Sequence, residues 1–251
     1  MLDPILIFGA FRIPVYSLLL AAALMMTIAA GAFRSRYRPA QVIDVALGAI
    51  LFGLIGARIE YVLLSWDHFG AHSDEIARFD LGGLGWHGAV IGGWIGLTLV
   101  SRWRGLDQRE MLRCFAWALP VIALAAWVGC AAAGCAYGRE VDTLANYPDW
   151  LVWEARDVYG ILAPRYSTAR FGVILAFVTA AVGVITRGDR RFPAMLMILS
   201  AGMFAIGFVR ADVSPLIAGL RADQVLDAIF VVWAVQRIFT TENTEATEKS
   251  I

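Results

Sequence analysis

Seven long apolar runs, at about 13–31, 42–65, 84–101, 111–137, 171–187, 193–209 and 223–239, divide this 251-residue sequence, each closed off by charged or Gly/Pro-marked breaks. Runs of this kind have the length an α-helix needs to cross the hydrocarbon core of a bilayer, about 20 residues. Lipid offers no partners to peptide groups, so a spanning segment must satisfy its own backbone as a helix. The sequence therefore predicts an all-α integral membrane protein, a bundle of about seven transmembrane helices forming a single domain over 1–239. The segment at 84–101 is short and Gly-rich and is expected to be tilted or partly re-entrant. Composition agrees: 59% of residues are hydrophobic and 17% charged, against roughly 45–50% and 25% in soluble domains. A soluble globular domain is excluded, and a net charge of zero leaves no basic field for nucleic acid. Asp3 and Arg12 are the only charges around the start of the first run, so no cleaved signal peptide is expected.

Orientation follows from the cations, because short cytoplasmic loops collect Lys and Arg. Arg34, Arg36 and Arg38 follow the first run; Arg102, Arg104, Arg109 and Arg113 the third; Arg187, Arg190 and Arg191 the fifth; Arg237 and Lys249 close the chain. These are twelve of the 21 cations. The alternate loops, near 66–83, 138–170 and 210–222, gather acids instead, among them Asp67, Asp74, Asp80, Glu140, Asp142, Asp157 and Asp212. The N-terminus is therefore expected outside and the C-terminus in the cytoplasm. The long loop at 138–170 holds Tyr147, Trp150, Trp153, Tyr159 and Tyr166, as either a small external headgroup-level cap or a plain aromatic belt. The polar tail, 240–251, is expected to be disordered.

A few polar groups sit where lipid would reject them. Arg58 and Glu60 lie inside the second run, two residues apart and hence about 200° apart on a helix. They cannot simply pair with each other, so each needs a partner from another helix or a headgroup, or snorkels to the interface. His87 stands among Gly82, Gly83, Gly85, Gly88, Gly92 and Gly93, which allow close backbone approach. It is either a base in a water-accessible cavity or a structural histidine on a packing face. Arg139, at the outer boundary of the fourth run, suits a phosphate. Arg210 and Arg221 are phosphate contacts or interfacial ion pairs. Cys130 and Cys135 are about 140° apart on a helix and are not placed to bridge within it. The expectation is that they behave as small hydrophobes.

Several segments together resemble the prolipoprotein diacylglyceryl transferase family over about residues 10–240. GARIEYVL at 56–63 is similar to the family's GAR-x-x-YV, and GGLGWHGAVIGG at 82–93 to its Gly-rich histidine segment, with His87 on the histidine. GCAYGR at 134–139 resembles the end of its signature R-I-G-N-F-x-N-G-E-x-Y/W-G-R, and GLRADQVLDA at 219–228 its G-L-S-x-x-Q-x-L-S. The resemblance implies a bacterial inner-membrane, multi-pass enzyme that moves diacylglyceryl from phosphatidylglycerol to the lipobox cysteine of a prolipoprotein. It implies His87, Arg139 and Tyr16 as catalytic residues. Lipid or substrate contacts are then expected at Arg58, Gly88, Gly138, Arg165, Arg170, Arg210 and Gln224, with Cys135 an alternative nucleophile. The expected partners are phosphatidylglycerol or another phospholipid, the signal peptide of a prolipoprotein, and the membrane; neither a cofactor nor a metal is expected. The chain departs from the pattern at Trp127, Cys130 and Cys135, which stand on the signature's leading Arg, its Asn and its Glu. It departs also at residues 166–172, on the family's H-P-T-Q-L-Y-E, and at Met203 and Gly207, on its R-x-x-x-E. Two alternatives stay open: a paralogue with different phospholipid-transfer chemistry, and a non-catalytic lipid-binding membrane protein.

Overall fold

The computed structural model describes residues 5–8, 11–79, 82–157 and 159–249; Asp3 and Asp80, counted above, lie outside the described residues. The chain is mostly helical. A short antiparallel pair, β1 (Ile5–Phe8) and β2 (Phe11–Pro14), leads into α1 (Val15–Arg34). Then come α2 (Pro39–Leu64), the single turn α3 (Trp66–Phe69), α4 (Trp86–Arg104), α5 (Gln108–Phe115) and α6 (Ala118–Ala133). The hairpin β3 (Val152–Arg156) and β4 (Leu162–Tyr166) precedes α7 (Thr168–Ile185) and α8 (Arg191–Gly207). The two-residue strands β5 (Leu216–Ile217) and β6 (Leu220–Arg221) lead to α9 (Ala222–Lys249). Among the described residues, four stretches are long and apolar enough to cross a membrane: Val15–Arg34, Pro39–Leu64, Gln108–Ala133 and Thr168–Ile185. The chain forms two compact units, one of Ile28–Phe115 with Ser214–Ala222, the other of Met1–Thr27, Ala116–Val213 and Asp223–Ile251.

In the first of these units, α2 and α4 share a seam of glycines. Pro39 begins α2, where its missing N–H costs nothing, and Gly105, left-handed at φ 67°, ends α4. Along the seam Gly56 faces Gly88, Gly92 faces Phe52 and Gly53, and Gly96 faces Gly48, backbone against backbone. A Cβ on Gly56 would fall on the Gly88 carbonyl, and one on Gly88 on the Gly56 carbonyl. Below the seam Val42, Val45, Leu97, Leu106, Met111 and Cys114 form a buried cluster. On the other side of α2, Leu47, Leu51, Leu54, Ile55, Ile59 and Leu63 are exposed at helical spacing, a stripe suited to lipid. Gly56→Ala is expected to lower the stability of the detergent-solubilised protein by about 1–3 kcal/mol through overpacking. Gly93→Ala, whose Cβ would meet only the Ala49 carbonyl at 3.6 Å, should leave the thermal midpoint unchanged; equal losses in both would contradict the seam.

In the other unit, α6, α7 and α8 pack through a mixture of large and absent side chains. The Trp127 indole lies against Gly172, Met195 against Gly183, and Leu175 against Gly202. Trp127, Leu175, Met195, Leu196 and Leu199 are buried there. The hairpin of β3 and β4 is widened by the 138–140 segment, which bridges to it at Glu140 and Arg165 and to Arg210 at Gly138. The 138–170 region is thus a folded β-element, which the apolar pattern alone did not reveal.

One sequence expectation is overturned here. Cys130 and Cys135 form a disulfide, with Cα atoms 4.7 Å apart. The two are poorly placed to bridge only where the fourth helix runs on to Tyr137, which would put them about 140° apart around its axis and about 7.5 Å apart along it. The helix instead stops at Ala133; Gly134 turns left-handed at φ 72° and folds the chain back. The Cys135 amide then donates to the Cys130 carbonyl at 3.2 Å. Cys135 has no thiol in this state and cannot serve as the alternative nucleophile proposed for it.

Candidate functional site

Near the start of α4, in the unit that contains the glycine seam, His87 is 1% exposed and its Nδ1 lies 2.8 Å from Glu60 Oε1. The other carboxylate oxygen, Oε2, accepts the Gly88 amide at 2.6 Å. This geometry answers two local needs. The first turn of α4 has no side-chain cap of its own, and Glu60, reaching across from α2, supplies a negative group to its orphan N–H donors. The same carboxylate orients the imidazole. A carboxylate at Nδ1 makes that nitrogen the donor, so in the neutral ring the basic lone pair belongs to Nε2. The glycines make the approach possible, since a Cβ on Gly85 or Gly88 would run into Glu60. A base held by a buried carboxylate is the arrangement used for proton transfer to and from nucleophiles. Glu60 and Arg58 do take separate partners, as their angular divergence requires.

Arg58 is 4% exposed and points to the loop between α3 and α4. Its Nε donates to the Ile76 carbonyl at 2.9 Å, Nη2 to Glu75 at 2.7 Å, and Nη1 to Gly82 and Gly83. The guanidinium also lies over Phe69, 5.1 Å from the ring centre. From α3, His68 Nε2 is 2.9 Å from Oε2 of Glu75 in that loop, and the hydrogen bond holds the Glu75 carboxyl below its usual range. Arg58 thus fastens loop to helix with the donors that sequence reading assigned to lipid.

The other unit contains a cavity of about 390 Å³ between the end of α6 and the β3–β4 hairpin, at the lower end of the size of small-molecule sites. Cys130 and Cys135 form part of one wall; Tyr137, Gly138, Trp153, Glu154, Arg156 and Tyr166 line much of the remainder. Burial pushes the Tyr137 phenol up, and the nearby Asp157 and Asp212 charges add to it. Gly138 is needed where it stands, because a Cβ would meet the Tyr166 backbone. Its neighbour Arg139 is fixed by main chain on both sides, its N–H donating to Val209 at 2.8 Å and its carbonyl accepting from Tyr166 at 3.1 Å. The Arg139 side chain is exposed, with no ion pair among the described residues.

The remaining cations fall into two groups. Arg165 is buried, 3.1 Å from Asp157 Oδ2 and 3.5 Å from Glu140 Oε2. Arg210 chelates Asp212 at 2.5 and 2.8 Å and reaches Asp223 at 3.1 Å. Burial works to lower the Arg210 pKa, and these carboxylates outweigh it, so the net direction is up. Both arginines are therefore neutralised locally. Arg170 and Arg156 are exposed; Arg170 donates to the Asp149 carbonyl and lies over the Trp153 ring at 4.7 Å. Arg156 is a cavity residue that sequence reading passed over, although its place in the alternating run VWEAR was the available signal. Tyr16 packs on Gly129, and Gln224 is 2% exposed, its amide donating to the Phe204 carbonyl at 3.0 Å.

Comparison with known proteins is decisive for the family. The family model for prolipoprotein diacylglyceryl transferase matches residues 4–240. The chain belongs to the prolipoprotein diacylglyceryl transferase family. Relatives similar along nearly the whole chain include the phosphatidylglycerol–prolipoprotein diacylglyceryl transferase of Symbiobacterium thermophilum, 28% identical over 92% of this chain and 89% of the relative. Those of Rhodococcus jostii (28%, over 92% and 71%) and Streptococcus agalactiae (26%, over 95% and 95%) carry the same description. Within the transferase family's signature, the three departures now have a physical setting. Trp127 fills the space left by Gly172, and Cys130 and Cys135 are joined to each other.

Proposed function

We propose that this transferase-family member moves the diacylglyceryl group of phosphatidylglycerol onto the lipobox cysteine of a prolipoprotein. The observation that carries the reading is the His87–Glu60 pair, a buried, oriented base on a span that has little other reason to hold a polar ring. In the reaction the thiol gives its proton to the His87 ring, the sulfur forms a bond to the glyceryl carbon, and the C–O bond to phosphate breaks. Glycerol phosphate leaves as an anion.

The protein is proposed to sit in the inner membrane with seven spans, its N-terminus outside and its C-terminus in the cytoplasm. The distribution of cations supports this, and so does a disulfide on the side assigned to the outside, where such bonds persist. A host depleted of its own transferase should regain lipidated lipoproteins when this chain is expressed; failure with good membrane expression overturns the reading. Stoichiometric binding of labelled phosphatidylglycerol without release of glycerol phosphate would instead favour a lipid-binding protein.

A further inference from the structure

We infer that the Cys130–Cys135 disulfide is an exchange site for thiols, with Cys135 the sulfur attacked. Two ordinary explanations of a disulfide do not fit it. A structural staple joins segments far apart in sequence and restricts the unfolded chain, whereas this bond closes a ring across only five positions and restricts little. An inert disulfide is buried, whereas Cys135 is exposed and Cys130 half-buried, and both line the wall of the 390 Å³ cavity. The remaining cysteine, Cys114, is buried in the cluster with Val42 and Met111 and is not poised to react.

The surroundings suit a thiolate arriving from solvent. Arg156 lines the same cavity, exposed and without an ion-pair partner among the described residues, and a cation favours the ionised form of a thiol. Trp153, Leu162, Tyr137 and Tyr166 give the cavity apolar and aromatic faces for the chain that carries the thiol. The backbone is poised as well. Ala136, next to Cys135, is left-handed at φ 51°, a conformation unfavourable for a residue with a Cβ. Its carbonyl is held there by the Thr168 hydroxyl at 2.7 Å. Cys135 is therefore bounded by two left-handed residues, Gly134 and Ala136, in a turn that the bond to Cys130 closes.

The exchange is balanced by the partner thiols alone. A partner thiolate forms an S–S bond to Cys135 Sγ as the Cys135–Cys130 bond breaks, and Cys130 leaves as a thiolate and takes up a proton. A second partner thiol then attacks the mixed disulfide, releasing the oxidised partner and leaving two thiols on the protein. Two electrons have passed from the partner to the cavity wall. The inference stands apart from diacylglyceryl transfer and is read in a separate assay.

The test uses the whole protein, purified in mild detergent without reductant. Treatment with dithiothreitol under native conditions, followed by maleimide and mass spectrometry, should change the number of labelled cysteines from none to two, at Cys130 and Cys135. A disulfide that resists until the protein is denatured overturns the proposal. To distinguish a polypeptide thiol from a small one, native oxidised protein is offered a cysteine-containing apolar peptide or 2-mercaptoethanol at equal concentration. Faster opening by the peptide assigns the site to polypeptide thiols, and equal rates assign it to thiols in general. When the reaction of the oxidised wild-type protein with the peptide is quenched with acid and labelled with maleimide, the mixed disulfide should carry the peptide on Cys135 and maleimide on Cys130, at least tenfold over the reverse; the reverse ratio overturns the assignment of the attacked sulfur.

Discussion

His87→Ala is expected to slow diacylglyceryl transfer by about 10²–10⁴-fold, the range supplied by a positioned general base, with little change in membrane yield. Its partner Glu60 caps the main chain, accepting both His87 Nδ1 and the Gly88 amide. Glu60→Gln keeps the shape and the hydrogen-bonding capacity toward Gly88 but removes the negative charge that favours the imidazolium formed when the thiol proton arrives. Glu60 is thus a positioning residue, and its variant should slow the reaction by less than His87→Ala does. Release of glycerol phosphate from labelled phosphatidylglycerol reads both rates. Full activity in Glu60→Gln would mean that the pair is a helix cap and nothing more.

The second large effect is expected outside the helices. Asp157 and Arg165 are each 5% exposed and 3.1 Å apart, so truncating one partner leaves a buried charge. Asp157→Ala should destabilise the folded protein by about 3–5 kcal/mol. The loss includes more than the ion pair, because Asp157 Oδ1 also accepts the Tyr159 and Ile161 amides, each at 2.9 Å, and so closes the turn between β3 and β4. Asp157→Asn keeps an oxygen for those amides and should lose less. Thermal unfolding in detergent orders the three proteins, wild type above Asn above Ala; a variant Ala as stable as wild type would show that the hairpin is held by other contacts. The disulfide next to this hairpin should also become easier to reduce in Asp157→Ala.

What was legible in the sequence was whatever hydrophobicity controls. Each helix longer than ten residues lies on one of the seven apolar runs, because the length of a run and its charged borders are the whole signal. The divergence of Arg58 and Glu60 was also legible, since two residues on a helix fix an angle wherever the helix lies. Their partners were not. Arg58 turned to loop carbonyls, which have no signature in a sequence, and Glu60 found a histidine 27 positions away. The hairpin of VWEAR and LAPRY was hidden for a related reason: its strands are five residues long, and one of them contains a proline. The disulfide was missed through a single residue, Gly134, whose left-handed turn ends the helix within an otherwise apolar segment.

The glycine seam of α2 and α4 bears finally on how wear and variation can reach the dyad. Where side chains separate two helices, rotamer changes and small substitutions let them slide or roll. Here the carbonyls of Gly48, Phe52 and Gly56 already meet the opposite backbone, so no soft layer is left to absorb a displacement. A shift by one residue would drive Leu54 or Ile55 into the seam. The pair of helices can therefore move only as one piece, and thermal agitation or altered acyl-chain pressure on the outer leucine stripe should displace Glu60 and His87 together, leaving their 2.8 Å separation intact.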